Sequence, residues 1–149
     1  MYSTSYIYVN ANVLKSAAMK KFSKPLDLEL VFRALADRTR LRLMNLMGKD
    51  EVCVCYFVEV LKTPQPKISR HLAYLRRAGI VGARREGKWM HYRVIEPADP
   101  RGAELLRHIR ESISSDEMMK KERSRLVKLC CGKPPEHLLD APKPVTISL

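Results

Sequence analysis

The stretch that decides the fold reads Pro66-Lys67-Ile68-Ser69-Arg70-His71-Leu72-Ala73-Tyr74-Leu75-Arg76-Arg77. Ile68, Leu72 and Leu75 recur at i, i+4 and i+7, the spacing of one buried stripe on a helix. At about 100° per residue, Arg70, Ala73, Tyr74 and Arg77 fall on the opposite face, with Lys67 and Ser69 flanking it near the helix start. Such a helix packs one side onto a domain and offers Arg, Lys, Ser and Tyr to something outside. Arg and Ser side chains near its N-terminal end reach both phosphates and base edges in a major groove. A solvated amphipathic helix explains the same pattern, so the neighbouring segments decide between the two.

Upstream stands Glu51-Val52-Cys53-Val54-Cys55-Tyr56-Phe57-Val58-Glu59-Val60-Leu61-Lys62, whose latter half reads as a helix. Thr63-Pro64-Gln65-Pro66 is a short turn, with Pro66 suited to the first position of the next helix. Two helices joined by so short a turn form a helix-turn-helix. Gly79 stands where that second helix would end. Residues 80–85 and 89–94 read as two strands joined by a turn at Glu86-Gly87-Lys88. Met90, Tyr92 and Val94 share one strand face, and Trp89, His91 and Arg93 the other. A two-stranded ribbon directly after a helix-turn-helix is the wing of a winged-helix domain. Arg84, Arg85 and Lys88 lie around its tip, where phosphate contact is favoured over simple solvation.

A chain of 149 residues suits one domain with a core of useful size. Its 28 Lys and Arg against 16 Asp and Glu give a formal charge of +12, which favours a polyanionic partner, nucleic acid or an acidic membrane face. No apolar run approaches a membrane span, and the N-terminal residues lack the long apolar region of a secretory signal. The cytosol is therefore the expected compartment, and the four cysteines are expected as thiols. No constellation of carboxylates, nucleophile or phosphate loop points to an enzyme.

The rest of the chain frames this centre. Residues 13–22 read equally as a short basic helix or a frayed terminus. Leu28, Val31, Phe32 and Leu35 recur at helical spacing. Asp37 is placed to cap the next helix, whose apolar face is Leu43, Leu46 and Met47, and Gly48-Lys49-Asp50 stops it. Residues 101–129 read as one long charged helix with Leu105, Leu106, Ile109 and Ile113 on one face. A capping box of Ser114 and Glu117 would divide it in two. Its apolar face needs a partner, either its own domain or its copy in a dimer. Residues 133–149 carry four prolines and no period, and are expected as a mobile tail. The expected organisation is an N-terminal arm over 1–25, a winged helix-turn-helix over 26–96, a C-terminal dimerisation helix over 97–132 and a flexible tail over 133–149. The fold class is mainly α with a small β wing.

Cys53 and Cys55 are separated by one residue. On an ideal helix they would point about 200° apart, whereas on extended chain they share a side. A pair that acts together needs extended or distorted backbone at the helix entry. Thiolates select zinc, copper(I) and similar soft ions; trivalent arsenic and antimony are also thiophilic and usually take three sulfurs. Val58, one turn on, offers no ligand atom. Cys130 and Cys131 are the remaining thiols, and at a flexible helix end they can reach a distant site. Small buried apolar side chains explain Cys53 and Cys55 equally well. His71, His91, His108 and His137 form no compact cluster. His108 and Glu111 share a helix face but read as a surface pair.

Several of these segments together resemble the ArsR/SmtB family of winged-helix metalloregulatory repressors. The resemblance runs from about Leu28 to Val94 and rests on four motifs: Ala34-Leu35-Ala36-Asp37-Arg38-Thr39-Arg40-Leu41-Arg42, Glu51-Val52-Cys53-Val54-Cys55, Gln65-Pro66-Lys67-Ile68-Ser69-Arg70-His71-Leu72 and Gly87-Lys88-Trp89-Met90-His91-Tyr92-Arg93. The last three look closest to the arsenic-sensing branch. The resemblance implies a homodimer that binds palindromic operator DNA without a permanent cofactor and releases it when As(III) or Sb(III) binds. Zinc or another thiophilic metal is the alternative inducer. It places Ser69, Arg70 and His71 on the DNA-reading helix and maps Cys53 and Cys55 onto the first two thiols of the arsenic site. Val58 stands where that branch commonly has a third cysteine, which makes Cys130 and Cys131 candidate supplementary ligands. The candidate DNA-binding set is Gln65, Lys67, Ser69, Arg70, His71, Tyr74, Arg77, Arg84, Arg85 and Lys88. Two rival functions use the same residues: a repressor responding to thiol oxidation, and a winged helix that binds protein.

Overall fold

A computed structural model describes residues 25–144; the expectation for residues 13–22 lies outside the described residues. Helix α1, Leu28–Leu35, starts at Asp27, whose carboxylate accepts the Leu30 N–H at 3.1 Å. Val31, Ala34 and Leu35 face inward, while Leu28 and Phe32 stay exposed. Helix α2, Arg38–Met47, is capped as expected by Asp37, which accepts the Arg40 N–H at 3.0 Å. It ends at Gly48, whose φ of 54° is the left-handed turn that Gly tolerates best.

The helix-turn-helix follows. Helix α3, Val54–Leu61, ends on Lys62 in the left-handed conformation. Helix α4, Gln65–Arg77, begins one residue earlier than Pro66, which takes the second helical position. The missing N–H of Pro66 costs nothing there, because the first-turn donors have no partner inside the helix. Ile68, Leu72 and Leu75 are fully buried, as their spacing requires.

The wing is β2, Val81–Glu86, paired antiparallel with β3, Trp89–Val94, from Val81↔Val94 to Glu86↔Trp89. A third strand was not legible in the sequence. Val52–Cys53 forms β1, two residues that pair with β3 and give the sheet order β1-β3-β2. Two residues are too short to show a period. On β3, Tyr92 enters the core against Phe57 with ring centroids 6.5 Å apart. His91, on the opposite face, is also buried.

The C-terminal part corrects the expectation of one long helix. Residues 101–129 form two helices, α5 over Pro100–Ser114 and α6 over Glu117–Cys131. The break lies where the capping box was expected, but the cap is Asp116, which accepts the Met118 and Met119 N–H groups at 2.9 and 3.0 Å. Ser114 Oγ instead donates back to Glu111 O at 2.8 Å. Helix α6 then folds over the chain's own α2 and α3. Arg42 donates from Nε to both oxygens of buried Glu122 at 2.9 and 3.0 Å, and Asn45 donates to Met119 O at 2.8 Å. Arg123 joins Asp50 and Leu46 O, and Arg125 donates to Val60 O at 3.1 Å.

This packing also uses part of the face expected to dimerise. Leu106 is 0 % exposed and Ile113 8 %, while Leu105 and Ile109 are half-buried. The expected mobile tail is packed through its described part. A 3-10 turn at Glu136–Leu138 precedes Ala141, and both Leu138 and Ala141 join the core. One buried cluster runs from Val31 through Leu106, Leu126 and Cys130 to Ala141, across the boundary drawn at 96/97. Among the described residues, no helix is long and apolar enough to cross a membrane.

Candidate thiol centre and nucleic-acid interface

Cys53 ends β1 and caps α3 in extended conformation, with φ −67° and ψ 142°. Cys55 lies in the first turn of α3. That change from strand to helix turns both sulfurs to one side, and Cys55 Sγ donates to Cys53 Sγ at 2.9 Å. The sulfurs are free thiols in hydrogen-bond contact. This is the distorted helix entry that a cooperating pair requires.

The electrostatics divide one proton between the two groups. The Cys55 thiol donating to Cys53 holds the Cys53 pKa down at about 7 against the cost of burial, helped by the backbone N–H groups of Cys55, Val54 and Met90. Cys55 is pushed well above the ordinary thiol range, first by giving that hydrogen bond and then by burial. As pH rises past about 7 the pair becomes a thiolate at Cys53 backed by a thiol at Cys55, a soft donor set.

Cys130 and Cys131 are not brought to this pair. Cys130 is buried at the end of α6, where burial pushes its pKa up to about 11, and Cys131 is exposed. Among the described residues, no three His, Cys, Asp or Glu side chains are grouped to hold a metal ion. Val58 is half-buried against the core and supplies no donor. Tyr56 links the two regions. Its hydroxyl, pushed up to about 12 chiefly by burial, also feels Cys130, Cys55 and Cys53, and it donates to Ala141 O at 3.4 Å.

The outer face of α4 is as the sequence set it. Gln65, Lys67, Arg70, Tyr74 and Arg77 are exposed and Ser69 is half-buried. His71 turns inward instead, its Nδ1 standing 3.5 Å from Asp37 Oδ1 with the side chain 16 % exposed. On the wing, Arg85 and Lys88 are exposed; Arg85 donates to Gly87 O at 3.0 Å and Lys88 lies over the Trp89 ring. Arg84 is exposed too, but it is bound to Glu51 at 2.7 Å and Glu86 at 2.9 Å. Its charge is balanced by carboxylates, which the sequence did not show. Sequence reasoning also passed over Arg76 and Arg93, which are further exposed cations on α4 and β3.

Comparison with known proteins places this geometry. The model of the bacterial regulatory protein family arsR matches residues 37–82, from the α2 cap to the first wing strand. An uncharacterised HTH-type transcriptional regulator of Methanocaldococcus jannaschii is 39 % identical over 94 residues, which cover 62 % of this chain and 99 % of that protein. The chain belongs to the arsR family. It is thus a DNA-binding winged helix-turn-helix of a family of transcriptional regulators. The arsenic resistance transcriptional regulator ArsR1 of Pseudomonas putida is 52 % identical over 66 residues, 44 % of this chain and 52 % of that protein. The match to this arsR-family relative thus spans about half of its length. The transcriptional repressor BigR from Xylella fastidiosa shares the fold, with a TM-score of 0.51 at 24 % identity over 72 % of this chain and 95 % of that one.

Proposed function

We propose that this arsR-family chain is a metalloid-responsive repressor that holds palindromic operator DNA as a homodimer and releases it when trivalent arsenic or antimony occupies Cys53 and Cys55. The observation that carries the reading is the 2.9 Å contact between the two sulfurs at the entry to α3. Cys53 and Cys55 would hold the metalloid, which supplies two strong bonds to soft sulfur in place of one hydrogen bond. Zinc or another thiophilic ion has the same donors available. Cys130 or Cys131 completes the coordination only if the end of α6 moves or a partner subunit supplies the thiol.

Position supports the coupling. The pair lies between the sheet that carries the wing and the first helix of the helix-turn-helix, so a change at the sulfurs bears on both DNA-facing elements. The free energy that links the two sites is expected at about 1–3 kcal/mol. For the dimer, the exposed Leu28 and Phe32 of α1 and the half-buried Leu105 and Ile109 of α5 remain as apolar surface. An isologous pair would set two α4 helices at the half-site spacing of a palindrome.

The test is titration of fully reduced protein with arsenite, under exclusion of oxidant, while operator release is followed. Release stoichiometric with metalloid supports the reading. A protein that ignores arsenite but releases DNA on conversion of the dithiol to a disulfide by peroxide, with loss of two electrons and two protons, is an oxidation-responsive repressor instead.

A further inference from the structure

One side chain touches all three helices that meet behind the DNA-facing surface. Arg40 lies in the first turn of α2. Its Nη2 donates to Arg33 O at 3.0 Å and its Nε donates to Ala34 O. Both carbonyls belong to the last turn of α1, where helix geometry leaves acceptors without partners. Its Nη1 stands 4.0 Å from the Asp37 carboxylate, which caps α2. The guanidinium carbon lies over the Tyr74 ring of α4, 4.8 Å from the ring centroid. One turn earlier on α4, His71 Nδ1 faces the same Asp37 at 3.5 Å. Helix α4 therefore meets the α1–α2 corner at two successive points, through Arg40 and Asp37.

We propose that Arg40 is a positioning residue of DNA recognition: it sets the pose of α4 and of the Tyr74 ring against the operator without itself touching DNA. Two observations separate this role from phosphate binding. The Arg40 side chain is only 12 % exposed and its donors are directed at carbonyls and a carboxylate inside the protein. Tyr74, in contrast, is 52 % exposed on the face that carries Arg70 and Arg77. A flat guanidinium with donors along its edge can bond two carbonyls and stack a ring at once. The point charge of lysine cannot do both. The inference rests on α4 being the DNA-reading helix.

The experiment measures affinity for operator and for random duplex across a salt series, with Arg40→Lys, Arg40→Met, Tyr74→Leu and Arg70→Ala, each checked for native circular dichroism. Both Arg40 variants are expected to lose operator affinity about tenfold, the size of one stacked, desolvated contact. Random-duplex affinity and the salt slope should stay as in the wild type. In the Tyr74→Leu background, Arg40→Lys should cost little further. Wild-type operator affinity in Arg40→Lys would overturn the proposal, because charge alone would then suffice. A salt slope reduced by about 0.9 would also overturn it, since Arg40 would then be a direct phosphate contact. So would an undiminished Arg40→Lys loss in the Tyr74→Leu background. If Arg40→Met does not fold, Arg40→Lys and the Tyr74→Leu pair decide alone. Unchanged affinity in Arg70→Ala removes α4 from the interface and this proposal with it. Weakened Arg70→Ala beside wild-type Arg40→Lys overturns the positioning role only.

Discussion

Cys53 and His91 are partners across the antiparallel ladder between β1 and β3. The first thiol of the candidate centre is thus part of the wing's own sheet, and the adjacent pair is Val52↔Tyr92. The Met90 N–H, next along β3, bears on the Cys53 sulfur. A ligand that moves this sulfur must disturb either the ladder or that N–H interaction. Under the proposed function, this sheet would be a second route to DNA beside the one through α3 onto α4.

The chain's one tryptophan, Trp89, begins the strand in question, under the ammonium of Lys88. Titration with arsenite is expected to change Trp89 fluorescence with the same midpoint as operator release. Cys53→Ser should abolish both signals while leaving DNA binding in place, since serine keeps the volume but is a poor donor to a soft ion. Release without a fluorescence change would place the coupling in α3 and α4 alone.

The thiol pair should titrate in a characteristic way. With Cys53 held at about 7, ultraviolet absorbance of one thiolate should appear as pH rises through about 7, and the Cys55 thiolate should not follow in the native protein. Arsenite binds as As(OH)3, and each As–S bond formed expels a hydroxide that leaves as water with one proton. Below that midpoint the two thiols supply both protons and affinity should not depend on pH; above it one proton must come from solvent, so affinity should fall as pH rises. Cys55→Ala removes the donor that stabilises the Cys53 thiolate, so the midpoint should move upward. An unmoved midpoint would assign the effect to the backbone N–H groups.

On the DNA side, Arg70→Ala is expected to weaken operator binding by about 1–3 kcal/mol without unfolding the protein. The wing cations should differ among themselves. Arg85→Ala and Lys88→Ala should each lower the salt slope by about 0.9 if each meets one phosphate. Arg84→Ala should lower it less, because Glu51 and Glu86 already neutralise that guanidinium. Equal slopes for the three variants would mean that those ion pairs open on DNA.

These contrasts show what was legible in the sequence. Ile68, Leu72 and Leu75, the Asp37 cap and the Gly87 turn are local signals, and each carries its structure in a few residues. The two-residue β1 has no period to read, and it exists because β3 offers it an edge. The break at Ser115 was marked by the right neighbourhood but made by Asp116, a competing acceptor one residue on. The inward turn of His71 toward Asp37, the Arg84 pairing with Glu51 and the Arg40 contact with Tyr74 depend on side chains distant in sequence. No spacing rule reaches them. The Cys53–Cys55 pair was legible as a conditional: it acts together only on distorted backbone, and β1 running into α3 is that backbone.

The return of α6 onto the core can be tested on stability. Glu122 is 6 % exposed and binds Arg42 through Nε and Nη2, so removing one partner leaves a poorly solvated charge. Glu122→Ala is expected to cost about 3 kcal/mol in urea unfolding. The double replacement Arg42→Met/Glu122→Leu should recover much of that loss, because apolar packing removes both desolvation costs. A Glu122→Ala variant as stable as the wild type would mean that α6 does not close on α2 in solution.

The third sulfur is the sharpest question. A metalloid that takes three sulfurs finds two at Cys53 and Cys55 and an apolar Val58 one turn on. Water, a small external thiol or the C-terminal cysteines must complete it. Cys131 is exposed and Cys130 is buried near Tyr56, the residue directly after Cys55. Recruitment thus requires the end of α6 to loosen, which costs packing at Cys130 and ordering entropy as the thiol closes on the site. That opposition argues for a supporting role. Cys130→Ser/Cys131→Ser is expected to lower arsenite affinity while release persists at higher concentration, and Cys53→Ser/Cys55→Ser to lose release altogether. Sulfur coordination counted by X-ray absorption should fall from three to two in the Cys130→Ser/Cys131→Ser protein, measured without added thiol. Identical coordination and affinity in that variant and the wild type would remove Cys130 and Cys131 from the mechanism.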